Sequence, residues 1–534
     1  MWLNEGFASW VGELAVDKQH PEWKVWTEFV VNDCQAGLGL DALRSSHPIE
    51  VPVKSPTEIS QIFDSISYSK GASIIRMLVG WLGEDVFKRG IQSYLEKFKF
   101  GNARTEDLWT SLSEASGKPV NEMMGGWTKH IGYPVLDVER TGADSCKFTQ
   151  RRFLASGNVA AEEDQMVWTV PLFLPGSDAV LAEKSAVLKT PSGHFKVNFN
   201  QHGFYRVNYP SEWLEGLPLE NLKEPVDRLA LISDVHSLSI AGDKDMTDFM
   251  NLVVRYKQED NYFVWCELLD RLHSVLGLVW EQDHLYDQVK SLIKWLTEDL
   301  ADKLGFEYNN PNEDDLTKLL RQRVIASAGA CGNEKVIEEA KRRFNDFVNG
   351  KEDRLHPNLR GTVYSIVLRE GGVEEYERVL ELYKKLETPD QKQAALGALG
   401  STKNLELLKR SLQSTTDTSL IRSQDAIYIF RTVGANKFGR RLTWSFVEEN
   451  WGVFYARYQK GGFSLLSRIV TSATDGFTSE KDAKQVDLFF KGRPEEEQKG
   501  IERALAQSLE RIHTNTKCLL VNSSKLQAWF EKNG

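Results

Sequence analysis

The stretch Trp2-Leu3-Asn4-Glu5-Gly6-Phe7-Ala8-Ser9-Trp10 opens the chain with a helical signature. At about 100° per residue, Leu3, Phe7, Trp10 and Leu14 share one face, and Glu5 points almost directly away from them. The face around Glu5 carries Ala8, Ser9, Gly12 and Val16, which are small or apolar rather than charged. Both faces read as built for packing, so Glu5 is expected to be buried. A buried carboxylate needs a cation, hydrogen-bond donors or a metal to offset its lost solvation. Two readings stay open from the residues alone: a structural acid paired with Lys or Arg, the commoner case, and a metal ligand.

The helical period continues outward from this segment to about residue 132, with Ile74, Met77, Leu78 and Leu82 on one stripe. His47-Pro48, Val51-Pro52-Val53 and Ser55-Pro56 mark an extended connector between helices. Tyr68, in Ser65-Ile66-Ser67-Tyr68-Ser69-Lys70-Gly71, stands at a helix start. Such a hydroxyl can donate to an oxyanion while neutral near pH 7, although a Tyr placed there is more commonly a packing residue. Gly132 and Pro134 stop the pattern. Residues 133–210 then read as a small β-sandwich: Val135-Leu136-Asp137-Val138, Met166 to Val170 and Phe195 to Phe199 are short strand-like runs between turns. From 211 to 534 helices return, as in Tyr376 to Leu386, Lys392 to Leu399 and Leu405 to Leu412, and predict a HEAT- or armadillo-like α-solenoid. The fold class is multidomain α+β in the order helical, β, helical.

Composition narrows the function classes. The chain has 534 residues, which holds roughly three to four domains. A net charge of −10 argues against a nucleic-acid surface, which needs a basic stripe. The five cysteines (Cys34, Cys146, Cys266, Cys331, Cys518) are scattered and form no CxxC pair, a pattern of reducing compartments without a cysteine metal site. No apolar run approaches the ~18 residues of a membrane span. The sequon at Asn522 is a single match in a long chain and carries little weight. Gly37-Leu38-Gly39-Leu40-Asp41-Ala42 fits a loose G-x-G-x-x-A but has no strand before it, so it is no dinucleotide fingerprint. There is no P-loop, no G-x-S-x-G elbow, and no pair of histidines four apart among the ten.

Taken together, the segments around Glu5 and Tyr68 resemble the gluzincin aminopeptidases, the group that includes aminopeptidase N and the puromycin-sensitive enzyme. WLNEGFASW is similar to that family's second zinc-binding element, and FDSISYSKGASIIRML to its tyrosine segment. Similar wording continues in SHPIEVPV, LGEDVFKRGIQSYLEKFKFGNARTEDLW, GWTKHIGYPVLDV, GFYRVNYP, DRLALISDVHSLSIAGD and the closing LERIHTNTKCLLVNSSKLQAWF. The wording is most similar to the fungal and puromycin-sensitive cytosolic branch. The resemblance implies a thermolysin-like zinc peptidase domain whose helical C-terminal part is residues 1–132, with a β-sandwich at 133–210 and the helical solenoid at 211–534. It implies a cytoplasmic enzyme that removes N-terminal residues from peptides. Glu5 is the implied zinc ligand and Tyr68 the implied transition-state stabiliser.

The family also carries an H-E-x-x-H helix, which supplies two His ligands and the general base, and a G-A-M-E-N motif. Neither occurs in this sequence. One carboxylate does not hold zinc with useful affinity. This chain alone is therefore expected to be inactive unless a separate N-terminal half completes it; the alternative is a non-catalytic helical scaffold that binds peptides or partners. Metal analysis of the purified chain should find no stoichiometric zinc, and hydrogen exchange should find residues 1 to about 30 the least protected. One tightly bound zinc per chain, or full protection of that segment, would contradict these expectations.

Overall fold

The computed structural model describes residues 2–52, 62–459 and 464–533. Helix α1 (Trp2–Gln19) lies against α2 (Gly71–Leu82), and the two backbones come closest at a glycine pair. A Cβ on Gly6 would stand 2.9 Å from the carbonyl carbon of Gly71 and 3.0 Å from its Cα. This crossing selects the buried stripe of α1. It is Trp2, Gly6 and Trp10, while Leu3, Phe7 and Leu14 are half-buried and Ala8 and Gly12 are exposed. Trp2 stacks on Trp109 at 6.0 Å between ring centroids, and Trp10 meets Phe87 edge-on at 5.2 Å. Ile74, Ile75, Met77 and Leu78 of α2 are fully buried beneath them. Of the proline-marked connector, His47 to Pro52 has neither helix nor strand, and Val53, Ser55 and Pro56 lie outside the described residues.

Gly132, at φ +87°, breaks the last helical segment before β1. Strands β1 (Pro134–Gly142), β2 (Ser145–Arg152), β5 (Ser185–Lys189) and β6 (Arg206–Asn208) form one sheet in the order β5-β2-β1-β6. β1 pairs with β2 antiparallel and with β6 parallel, and β2 pairs with β5 antiparallel. A second, two-stranded sheet joins β3 (Val170–Pro171) to β4 (Val180–Leu181). Val135 to Val138 lies in β1 as read from sequence, but of Met166 to Val170 only Val170 is in a strand. Phe195 to Phe199 is not a strand at all. The cause is the buried Lys196 ammonium, which donates to the carbonyls of Val197 (3.2 Å) and Asn198 (2.8 Å) and stands 3.0 Å from the Asp227 carboxylate. The chain coils around that charge, with Asn198, Asn200 and Gln201 in the left-handed region.

The chain divides into two compact units, Met1–Leu252 and Val253–Gly534. The second is helical throughout its described residues. α3 (Tyr262–Leu278), α5 (Asp315–Ala330), α7 (Arg360–Glu370), α9 (Pro389–Leu399), α11 (Ala426–Ala435), α13 (Ser464–Thr474) and α15 (Glu502–Asn533) pack each against the next. Behind that layer lie α4 (Asp283–Leu304), α6 (Glu334–Val348), α8 (Val373–Lys385), α10 (Leu405–Ser414), α12 (Arg440–Tyr458) and α14 (Glu480–Lys491). The three helical segments expected from sequence fall within α8, α9 and α10, except that Leu386 lies just past the end of α8 in extended backbone. Asn522 of the sequon is buried on α15, out of reach of a glycan. All five cysteines are buried and free. No helix among the described residues is long and apolar enough to cross a membrane.

The α1–α2 crossing should tolerate no side chain at its centre. Gly6→Val is expected to destabilise the chain by about 1–3 kcal/mol or more, as overpacking does. Gly12→Ala, where an added Cβ meets nothing within 4 Å, should be stabilising by up to about 1 kcal/mol through helix propensity. Urea unfolding of both variants measures the contrast.

Candidate active site

Tyr68 sits at the centre of a π-helical turn, Ile66–Lys70. The amide of Lys70 reaches back five residues to the carbonyl of Ser65 at 2.8 Å. Such insertions bulge one residue and re-aim its side chain, and they recur at functional sites. Buried and half-buried polar groups hold this turn on both sides. Before it, Asp64 accepts through Oδ1 from the amide of Ile66 at 2.9 Å, and its Oδ2 lies 2.9 Å from Nε2 of His47, whose Nδ1 is 2.8 Å from the carbonyl of Pro48. Within it, Ser67 donates to the carbonyl of Ile62 and Ser69 donates to Asp33 Oδ1 at 3.0 Å. Asp33 belongs to a second π-helical turn, Val30–Cys34. After it, Lys70 has no solvent exposure and places Nζ 2.7 Å from Asp41 Oδ2 while donating to the carbonyl of Gly132. Ile66, Ser67, Ser69 and Lys70 are thus all buried, and Tyr68 alone in the turn keeps partial exposure.

The structure brings Glu5 and Tyr68 together. The phenol is held above its ordinary pKa by partial desolvation first, and then by the nearby Glu5 carboxylate, which disfavours the phenolate. Tyr68 is therefore neutral at physiological pH and carries a proton to donate. Glu5 itself is half-exposed, which corrects the expectation of a buried acid. The reason is the glycine crossing, which turns the Trp2-Gly6-Trp10 stripe inward and leaves Glu5 on the flank of α1. Among the described residues no Lys or Arg forms an ion pair with Glu5, so the salt-bridge reading finds no partner. The surroundings are acidic. Burial pushes Glu13 up, with help from Asp33 and Glu28, and burial likewise pushes Asp33 up.

Zinc sites take three or four protein ligands. Among the described residues no group of three or more His, Cys, Asp or Glu side chains could hold a metal ion. The donors present do not by themselves fit zinc, and Glu5 stands as a single carboxylate beside a tyrosine. The anchors of the turn escape sequence reasoning based on motifs. The G-x-G-x-x-A segment lies within and just after a helix, Gln35–Asp41, and its acid is Lys70's partner, which closes the dinucleotide reading.

The chain belongs to the M1 peptidase family. Residues 1–127 match the Peptidase family M1 domain, and residues 194–514 match the ERAP1-like C-terminal domain. Aminopeptidase 2 of Candida albicans is 37% identical over 547 residues, covering 100% of this chain and 58% of its own length. Alanine/arginine aminopeptidase of Saccharomyces cerevisiae is 36% identical over 96% of this chain and 60% of its own length. Glutamyl aminopeptidase of Sus scrofa is 34% identical over 99% of this chain and 57% of its own length. The chain therefore spans less than two thirds of the length of these curated relatives.

The Glu5–Tyr68 contact has a titration signature. Removing the carboxylate charge in Glu5→Gln should lower the Tyr68 pKa toward the ordinary phenol value, because a nearby anion no longer opposes the phenolate. NMR titration of ring-labelled tyrosine, with the Tyr68 signal assigned through Tyr68→Phe, reads this shift. An unchanged midpoint would separate the two groups.

Proposed function

We propose that this chain forms the Glu5–Tyr68 side of the active site of a zinc aminopeptidase that removes N-terminal residues from peptides. The observation that carries the reading is a carboxylate with no ion-pair partner among the described residues, close enough to the phenol of a neutral tyrosine on a pinned π-turn to raise its pKa. In this reading Glu5 is one protein ligand of the zinc, and Tyr68 donates to the oxyanion of the tetrahedral intermediate. The remaining ligands and the general base belong to an H-E-x-x-H helix, which this sequence does not contain.

The domain reading follows the same family. Residues 1–132 are the helical C-terminal part of a thermolysin-like catalytic domain, 133–210 a β-sandwich, and 211–534 an α-solenoid. Support comes from the helices that end before Gly132, the sheet between Pro134 and Asn208, and the successive helix layer of the second unit. Five free, buried cysteines support a reducing, cytoplasmic setting. The absence of a ligand cluster among the described residues favours the second reading, a non-catalytic scaffold that holds peptides or partners.

Co-expression with the H-E-x-x-H-bearing segment of a fungal relative separates the two. The zinc-enzyme reading expects one zinc per complex and hydrolysis of an alanyl anilide. Tyr68→Phe should then lower kcat by about 10²–10³ with KM little changed, as loss of an oxyanion donor does. Glu5→Gln should lose the metal. An assembled complex that gains neither zinc nor hydrolysis would support the scaffold, and full activity in both variants would remove Glu5 and Tyr68 from the site.

A further inference from the structure

The helical unit Val253–Gly534 holds two adjoining cavities of about 640 and 540 Å³. Both are lined by His273, Ala330, Arg369 and Ser401, so they form one groove across α3, α5, α7, α9 and α11. Its floor is made of small residues, among them Ala326, Gly361, Ala394 and Gly397. Its charge is one-sided. Arg323, Arg369 and Arg431 line the first cavity, and Lys290, Arg369, Lys403, Lys437 and Arg440 line the second. Among the described residues the only carboxylates on the walls are Asp270 and Asp287, in a chain whose net charge is −10.

Ordinary pairing removes part of this excess. Asp270 binds Arg323, Glu370 binds Lys403 at 2.7 Å, and Asp283 binds Lys437 at 2.5 Å. The rest is not neutralised. Among the described residues, Arg369 and Lys290 make neither an ion pair nor a hydrogen bond, although both are half-buried. Among the described residues the Arg440 guanidinium donates only to the carbonyls of Gly277, Gly434 and Gly476, and it stacks on Trp280 at 4.9 Å. Burial pulls its pKa down to about 10. The charge of Arg369 reaches His273, Tyr286 and Cys331, and that of Lys290 also reaches Cys331, so these cations converge on one space. Converging unpaired cations on a concave wall repel one another and focus potential on an anionic ligand. Arginine forks and lysine ammonium groups are the donors that match oxyanions.

We propose that this groove binds a compact polyanion, a small molecule carrying three or more negative charges on clustered phosphate or carboxylate groups. A monoanion would leave most of the converging charge uncompensated. The site lies wholly within the second unit and is independent of the Glu5–Tyr68 reading.

Isothermal titration of the full chain with inorganic triphosphate, citrate and acetate in phosphate-free buffer tests the proposal. Triphosphate or citrate should bind one to one, and acetate should not. The affinity should fall at least about tenfold between roughly 50 and 300 mM salt, as screening of exposed charge requires. The tighter of the two ligands identifies phosphate or carboxylate as the source. Arg369→Gln and Lys290→Gln should each weaken binding about tenfold, as loss of a charge-assisted contact does. Lys351→Gln, at an exposed pair with Asp346, should change nothing. Among the described residues neither Arg369 nor Lys290 has an ion-pair or hydrogen-bond partner to orphan, so both variants should melt like the parent. Arg369→Lys, which keeps the charge, should retain part of the affinity. No binding by either polyanion, acetate binding as tightly, or full affinity in the Arg369→Gln/Lys290→Gln double variant would each overturn it.

Discussion

Lys70 and Asp41 face each other at 2.7 Å with no solvent exposure on either side chain. Each charge lost its hydration on folding, and the pair persists because the remaining polar groups around it are also bonded. Asp41 Oδ1 accepts from the amide of Gly132 and from the hydroxyl of Ser46, and Lys70 also donates to the carbonyl of Gly132. Three pieces of chain meet at this pair: the helix that ends at Asp41, the π-turn that carries Tyr68, and the Gly132 break that launches β1. A buried pair of this kind is weak evidence for net stability but strong evidence for a fixed geometry, because either partner left alone is costly. The aim of Tyr68 follows from it.

The same logic explains why only part of the site was legible in the sequence. Helices over residues 2–19 and 71–82 follow from apolar spacing, and the stop at Gly132 follows from glycine chemistry. The inward stripe of α1 did not follow, because a helical wheel weighs bulk and treats Gly6 as neutral. Here Gly6 is the contact, and its missing Cβ lets α2 approach. Phe195 to Phe199 failed as a strand for a similar reason: alternation registers Lys196 as outward-facing, whereas it is buried among carbonyls and Asp227. The strands β2 and β5 were missed because polar residues such as Lys147 and Thr149 dilute their apolar pattern. Long-range partners decided all three cases.

At the site, sequence singled out Glu5 and Tyr68 by resemblance, and the structure packs the helix that carries Glu5 against the turn that carries Tyr68, near enough for the carboxylate to raise the phenol pKa. What it could not disclose is the pinning of the π-turn by His47, Asp64, Asp33 and Asp41, whose partners lie between 17 and 36 residues away at His47–Asp64 and Asp33–Ser69. A π-turn has no sequence signature of its own. It forms where tertiary hydrogen bonds make the extra residue worth its cost, and here they surround the one residue that faces outward.

A double-mutant cycle on Lys70→Met and Asp41→Asn tests this dependence most directly, because it isolates the coupling from the packing each substitution disturbs. Each single variant, followed by urea unfolding, is predicted to lose about 3–5 kcal/mol by stranding a buried charge. The double variant is predicted to recover about 1–3 kcal/mol of the summed loss, with the Tyr68 ring signal displaced in all three. Additive losses, with the Tyr68 signal unmoved in every variant, would contradict the account.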